Sequence, residues 1–275
     1  MKLSEFKESI RERWELLKAN TVFTAQRELA YAGNNWTNFL ATFMYTLAAL
    51  LFIKVIYSNV QSVAGYSYNQ MLFYFFVYQM TYYTNFLLSY NSLDDLIPDI
   101  NNGNMDMILV KPVPSLYFIM TRSISVVSVV TKAIPPMLAI ILSVQWSSLR
   151  FSAEEIIIGI IVWIMGLIAI HVIQLLGTIP AFWFGESDNI LDLANGTLQA
   201  SNTLIPLQGY SPNLQKLLGT VMPMLIATAF TVSILLGKSN PIFLLVWAVI
   251  VGVISLIVRD IAWKAALKHY TSASS

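Results

Sequence analysis

Ionisable and amide side chains are rare inside the apolar stretches of this chain, so the few found there mark where chemistry could be done. Lys132 lies in an apolar run over 116–144, His171 and Gln174 near the middle of a run over 154–184, and Asp192, Asn195, Gln199 and Asn202 along 190–206. An ionisable group inside a membrane span is expensive to keep there and is a functional candidate by default. Lys132, His171 and Asp192 could relay a proton or an ion, and the polar face of 190–206 could line a path for a substrate. Plainer readings stand beside these: a lysine can snorkel towards water, and a single histidine in a span is often hydrogen-bonded between helices. No second histidine or carboxylate stands at ligand spacing from His171, and the chain has no cysteine. We therefore expect no metal site, no disulfide and no cysteine nucleophile.

The run Gly237-Lys238-Ser239 imitates the end of a phosphate-binding loop, but that pattern needs a glycine five positions before Gly237, where Val232 stands. The residues before it are apolar rather than glycine-rich, so their amides could not wrap a phosphate. No nucleotide site and no catalytic segment are expected. Two glycosylation acceptor patterns, Asn35-Trp36-Thr37 and Asn195-Gly196-Thr197, fall in segments read as cytoplasmic or membrane-embedded and are set aside.

What remains is a polar interruption at 91–115, NSLDDLIPDINNGNMDMILVKPVPS, between two very apolar runs. Pro98-Asp99-Ile100 opens a short amphipathic piece, Asn101-Asn102-Gly103 breaks it, and Met105 to Val110 form a second apolar patch before Lys111-Pro112. A merely solvated loop has little reason to carry Met105, Met107, Ile108, Leu109 and Val110 so close together. The pattern points to docking on a membrane surface or a partner.

The elements that must position this loop are membrane helices. Of 275 residues, 56% are hydrophobic and only 11% charged, and mean hydropathy is +0.64; a polytopic all-α membrane protein is the class this implies. A net charge of +1 gives no electrostatic case for nucleic acid or acidic substrates. The first 38 residues hold six Lys/Arg and no apolar run, so no cleavable signal is expected and the N-terminus is placed in the cytoplasm. Leu3, Phe6, Ile10, Trp14 and Leu17 step by three or four with basic residues between them, an amphipathic helix suited to an anionic lipid surface. Spans follow at about 38–57, 69–90 (crowded with aromatic rings), 116–144, 154–184 and 241–258. Either 190–206 spans and 207–240 is an external re-entrant pair, or 190–216 stays cytoplasmic and 217–236 spans; periodicity does not choose. Arg259, Lys264 and Lys268 place the C-terminus in the cytoplasm.

Three stretches carry a family resemblance. Gly103 through Asp106 and Leu109 to Lys111-Pro112 resemble a G-x-x-D-x-x-L-x-K-P segment. Pro206 through Tyr210-Ser211-Pro212 to Pro223 is followed by Leu235-Leu236-Gly237, and Trp263 to Tyr270 with Ser272-Ala273-Ser274 is similar to a W-x-x-x-L-x-x-Y-x-S-A tail. Together they resemble the permease subunits of type-2 (ABC-2) ATP-binding-cassette exporters, in the small six-span group, over nearly the whole chain.

The resemblance implies a cytoplasmic interfacial (elbow) helix at 1–34 and a transmembrane domain at 35–275. It implies a coupling loop at 91–115 and favours the external re-entrant region at 207–240. Asp99, Gly103, Met105, Asp106, Lys111 and Pro112 would then contact a separate ATPase subunit that holds ATP and Mg. A second permease subunit, identical or sister, would complete the machine in a bacterial or archaeal cell membrane. Thr228 and Thr231 depart from the family's repeated proline, which softens the re-entrant break. An ion-coupled transporter using Lys132, His171 and Asp192, and a non-transporting scaffold, are the readings from other classes.

Overall fold

Three long helices begin where the sequence supplies a cap. Ser67 and Gln70 form a reciprocal capping box ahead of α3 (Tyr68–Asn85), and Ser152 and Glu155 form another ahead of α10 (Ala153–Thr178). Asn240 accepts from the amides of Ile242 and Phe243 with Pro241 in the first turn, opening α14 (Pro241–His269). The computed structural model of the chain describes residues 3–30, 32–185, 188–200, 206–211, 213–214, 222 and 225–271. Among these residues there is no strand, and the order begins with α1 (Leu3–Leu29) and α2 (Ala32–Asn59). Beyond α3, a π-helical stretch Phe86–Tyr90 leads into α4 (Asn91–Asp94), then α5 (Leu96–Asn101), α6 (Met105–Leu109) and α7 (Ser115–Arg122). Next come α8 (Val126–Ser128), a π-helical stretch Val129–Ala133 and α9 (Ile134–Ser143), and after α10 come α11 (Ala181–Phe184) and α12 (Asp188–Ala200). A π-helical stretch Ile226–Phe230 and α13 (Thr231–Leu235) precede α14.

Among the described residues, four helical stretches are long and apolar enough to cross a membrane: Gly33–Asn59, Val126–Ser143, Ala153–Phe184 and Pro241–His269. The chain is thus an all-α polytopic membrane protein. The aromatic helix α3 stands outside those four, and its residues Met71 to Phe75 are buried by its neighbours. Two sequence expectations change here. The run 116–144 is not one helix, because it breaks at Ser123-Ile124-Ser125, where Ser125 accepts from the amide of Ser128 and starts a new helix. Met105 is fully buried, so it serves as an inward anchor rather than an outer contact. The choice between the two threadings of 190–240 falls on 201–205 and 215–224, which apart from Met222 lie outside the described residues, as do Pro212 and Ser272 to Ser274.

α10 is the central helix, packing on α14, α12 and the 226–235 segment. A Cβ at Gly166 would lie 2.3 Å from the Ala227 backbone nitrogen, so only glycine admits that backbone so close. Two apolar clusters result. One, around Tyr66, Tyr74, Phe75, Ile140, Val162 and Ile226, fills the half where α2 ends and α3 begins. The other, around Leu96, Met105, Ile119, Leu175, Phe182 and Trp263, fills the half that holds 91–115.

Candidate functional site

The loop 91–115 is folded and two-faced. Leu93, Leu96, Ile97, Ile100, Met105 and Ile108 are buried against Leu175, Ile179, Phe182, Trp263 and Ala266. On the opposite side Met107 is 69% and Val110 82% exposed, beside exposed Leu109, Lys111 and Pro112. Met105 and Ile108 fall three apart on the five-residue α6, while Met107 and Val110 fall on its other face. Gly103 turns α5 into α6 with φ of 74°, a left-handed value that glycine adopts without a Cβ penalty.

Polar contacts fix the loop to the rest of the chain. Asp99 forms an ion pair with Arg122, each side chain about 15% exposed, and accepts from Asn104 Nδ2 at 3.1 Å. One turn earlier Asp95 accepts from the Ser123 hydroxyl at 2.8 Å. Asp95 and Asp99 thus grip the helix break from one face of a short helix. The same break is held from the other side by α1: Thr24 donates to the Arg122 carbonyl at 3.0 Å, and Glu28 accepts from Ser125 at 2.6 Å and Ser128 at 3.3 Å. Further along, the Tyr117 hydroxyl donates to the Arg13 carbonyl at 2.8 Å and the Arg13 guanidinium lies 5.6 Å from the Tyr117 ring centroid. Lys111 sits 4.6 Å over Phe118, leaving its ammonium at the rim of the exposed patch. Half-buried Asp106 lies against Tyr270, whose phenol pKa is raised by burial and by this carboxylate.

The intramembrane polar residues Lys132, His171 and Gln174 each pair with a nearby side chain. Lys132 is half-buried with its ammonium 4.7 Å over Phe86, six residues into the span that begins at Val126. Arg122 belongs to a separate helix, so its position does not set the depth of Lys132. His171 Nδ1 is 3.1 Å from the Ser89 hydroxyl, the interhelical hydrogen bond that the plainer reading describes. Gln174 Nε2 donates to Asn195 Oδ1 at 2.9 Å with both residues buried, whereas Asp192 is exposed. Gln199 is helical, and its side chain lies outside the described residues. Among the described residues no group of three His, Cys, Asp or Glu could hold a metal ion.

A family model described as ABC-2 family transporter protein matches residues 43–274. The chain belongs to that family. No curated protein and no solved structure gave a match. Membership makes it a multi-pass transmembrane permease subunit of an ABC transporter, a class that works with an ABC ATPase.

Within this permease, two of the stretches that carry the sequence resemblance meet in space. Trp263 of the tail is buried among Met105, Ile108 and Phe182 of the loop cluster, and Tyr270 packs on the same cluster. The Phe182 ring stands edge-on to Trp263 at 5.7 Å and to Tyr270 at 6.0 Å, and Trp263 Nε1 donates to Ser115 at 3.3 Å. Reading the sequence missed the staple of Glu28, Asp95, Arg122, Ser123 and Ser125. The i, i+4 spacing of Asp95 and Asp99 was the available signal for a shared partner. Glu28 gave none, because its partners lie about a hundred positions away.

Proposed function

We propose that this permease is the membrane half of an ATP-driven exporter of an amphiphilic or hydrophobic substrate, coupled to separate ATPase subunits through the outer face of 91–115. Six spans, with both termini cytoplasmic in a bacterial or archaeal cell membrane, put α1 and the loop on the ATPase side. Two permease chains, identical or sister, form the path, and ATP with Mg sits on the ATPases. The observation that supports this reading is the two-faced loop. Met107, Leu109 and Val110 expose apolar surface next to Lys111 while Met105 and Ile108 lock the same short helix to the helix ends beneath. Burying one such side chain on a partner contributes about 1.5–3 kcal/mol before the costs of association. The staple from Asp95 and Asp99 through Arg122 to α1 then makes the loop, α1 and the span that begins at Val126 move as one body.

The test is co-purification of the intact chain with candidate ATPase subunits and ATPase turnover in detergent, for wild type and for Asp106→Ala with Lys111→Ala. Retention by the wild type with loss of retention or of coupling in the variant supports the reading. Absence of any bound ATPase would move the scaffold and ion-coupled readings ahead, with Lys132 the next residue to replace.

A further inference from the structure

Between α2 and α3 lies a cavity of about 310 Å³ lined by Ala41, Thr42, Tyr45, Tyr78, Gln79, Tyr82 and Tyr83. It sits near the middle of α2 and of the continuous helical stretch that runs from Tyr68 through α3, the π-helical residues and α4 to Asp94. Thr42 and Tyr45 are the eleventh and fourteenth residues of α2, and Tyr78 to Tyr83 lie ten to fifteen residues into the helical stretch that begins at Tyr68. Tyrosines that anchor a helix at the lipid headgroups sit at its ends, and these do not. The mouth is open to the outside of the chain, with Tyr45 54% and Tyr82 42% exposed. The floor is fixed: buried Gln79 donates to Thr46 Oγ1 at 3.4 Å, and Thr46 is fully buried. The rings of Tyr78 and Tyr82 lie 6.5 Å apart, and those of Tyr82 and Tyr83 5.4 Å.

A second groove shows what is unusual here. Bounded by Phe73, Phe76, Met80, Phe151, Ile160 and Trp163, with a volume of about 230 Å³, it exposes no polar surface and suits an acyl chain and nothing more specific. The tyrosine cavity instead leaves phenol hydroxyls in a setting where lipid tails cannot satisfy them, while its threonine and carboxamide already donate within the chain, Thr42 to the Asn38 carbonyl at 2.8 Å and Gln79 to Thr46. None of its lining residues carries a charge. A charged ligand would lose its hydration without gaining a counter-ion, and the ring faces return to a cation only part of that loss, about 2 kcal/mol when desolvated, which disfavours charge at this depth. Ring faces bind flat apolar surface, and the hydroxyls bind donors or acceptors at its edge.

We propose that this cavity is a lateral binding site through which an uncharged, flat amphiphile enters the permease from the lipid. The proposal deepens the export reading by naming the substrate's chemistry. Its test contains no ATPase, so loss of coupling and loss of binding are read separately. The full chain in lipid nanodiscs is irradiated with an uncharged benzophenone alcohol, or with its trimethylammonium analogue, and adducts are located by mass spectrometry. Adducts from the alcohol should concentrate on Tyr45, Tyr78 and Tyr82 by about fivefold over the exposed residues Leu40 and Val55 of α2, the factor that one net hydrogen bond supplies. Tyr45→Leu with Tyr82→Leu should remove that excess, and the cationic analogue should not show it. Both replaced side chains are exposed, so folding should survive. Even labelling along α2, an unaltered excess in the double variant, or equal labelling by the cation would overturn the proposal. So would efficient disulfide dimers from Tyr45→Cys, unambiguous because the chain has no cysteine, since a second copy would then cover the mouth.

Discussion

The two connections that flank α3 are built in opposite ways. At 60–67 the chain closes on itself. Val63 and Tyr66 pair their backbones, Tyr57 donates to the Tyr66 carbonyl at 2.8 Å, and Lys238 donates to the Gly65 carbonyl at 2.7 Å while lying over the Tyr66 ring. Tyr66 itself is fully buried, and burial raises its phenol pKa. The connection at 91–115 is just as firmly held from beneath, yet its outer face leaves Met107, Leu109 and Val110 uncovered. A firmly held loop with an unfinished apolar face is what the proposed docking requires. A rigid loop that satisfies itself is built to seal an end.

The largest effect should come from removing the support that both ends share. Gly166→Leu forces the Ala227 backbone off α10 and should destabilise the fold by about 3 kcal/mol or more, read as early aggregation in a detergent thermal scan. If the variant melts with the wild type, the close approach is not a structural requirement. Next, Arg122→Ala strands Asp99 beneath the loop and should cost roughly 2–4 kcal/mol. Amide exchange should then rise across 96–109 and stay unchanged at 60–67; a uniform rise would dissolve the contrast. Lys238→Ala removes one hydrogen bond and one cation–π contact at an exposed site, about 1–2 kcal/mol, and should loosen 60–67 alone. The smallest stability effect belongs to Val110→Asp, within about 0.5 kcal/mol of wild type because the residue is exposed. The same substitution should weaken ATPase retention at least about tenfold, because it sets a charge where an apolar face must be buried.

The contrast was half legible in the sequence. The density of Met105, Met107, Ile108, Leu109 and Val110 marked 91–115 as a docking segment, but both faces of so short a helix are apolar. Which face points inward is decided by Phe182 and Trp263, far away in the chain. The break at Ser123 to Ser125 carries no proline or glycine and depends on a cap and on Glu28 from α1, so an apolar run was read through it as one helix. Asp192 and Asn195 stood together on a polar face by spacing, yet packing separates them: Asn195 pairs inward with Gln174, and Asp192 is left outside. The long apolar helices needed no such distant information, since length and hydropathy alone specify them.

The central claim is that 91–115 receives the ATPase while 60–67 does not. The chain's lack of cysteine makes single replacements at exposed Val110 and Val60 clean reporters. The measurement is cross-linking of Val110→Cys and Val60→Cys chains to a co-purified ATPase with a short cysteine-to-lysine reagent. The account predicts a permease–ATPase adduct from position 110 and none from position 60. An adduct of equal yield from both, or none from 110 while the ATPase remains bound, would contradict it.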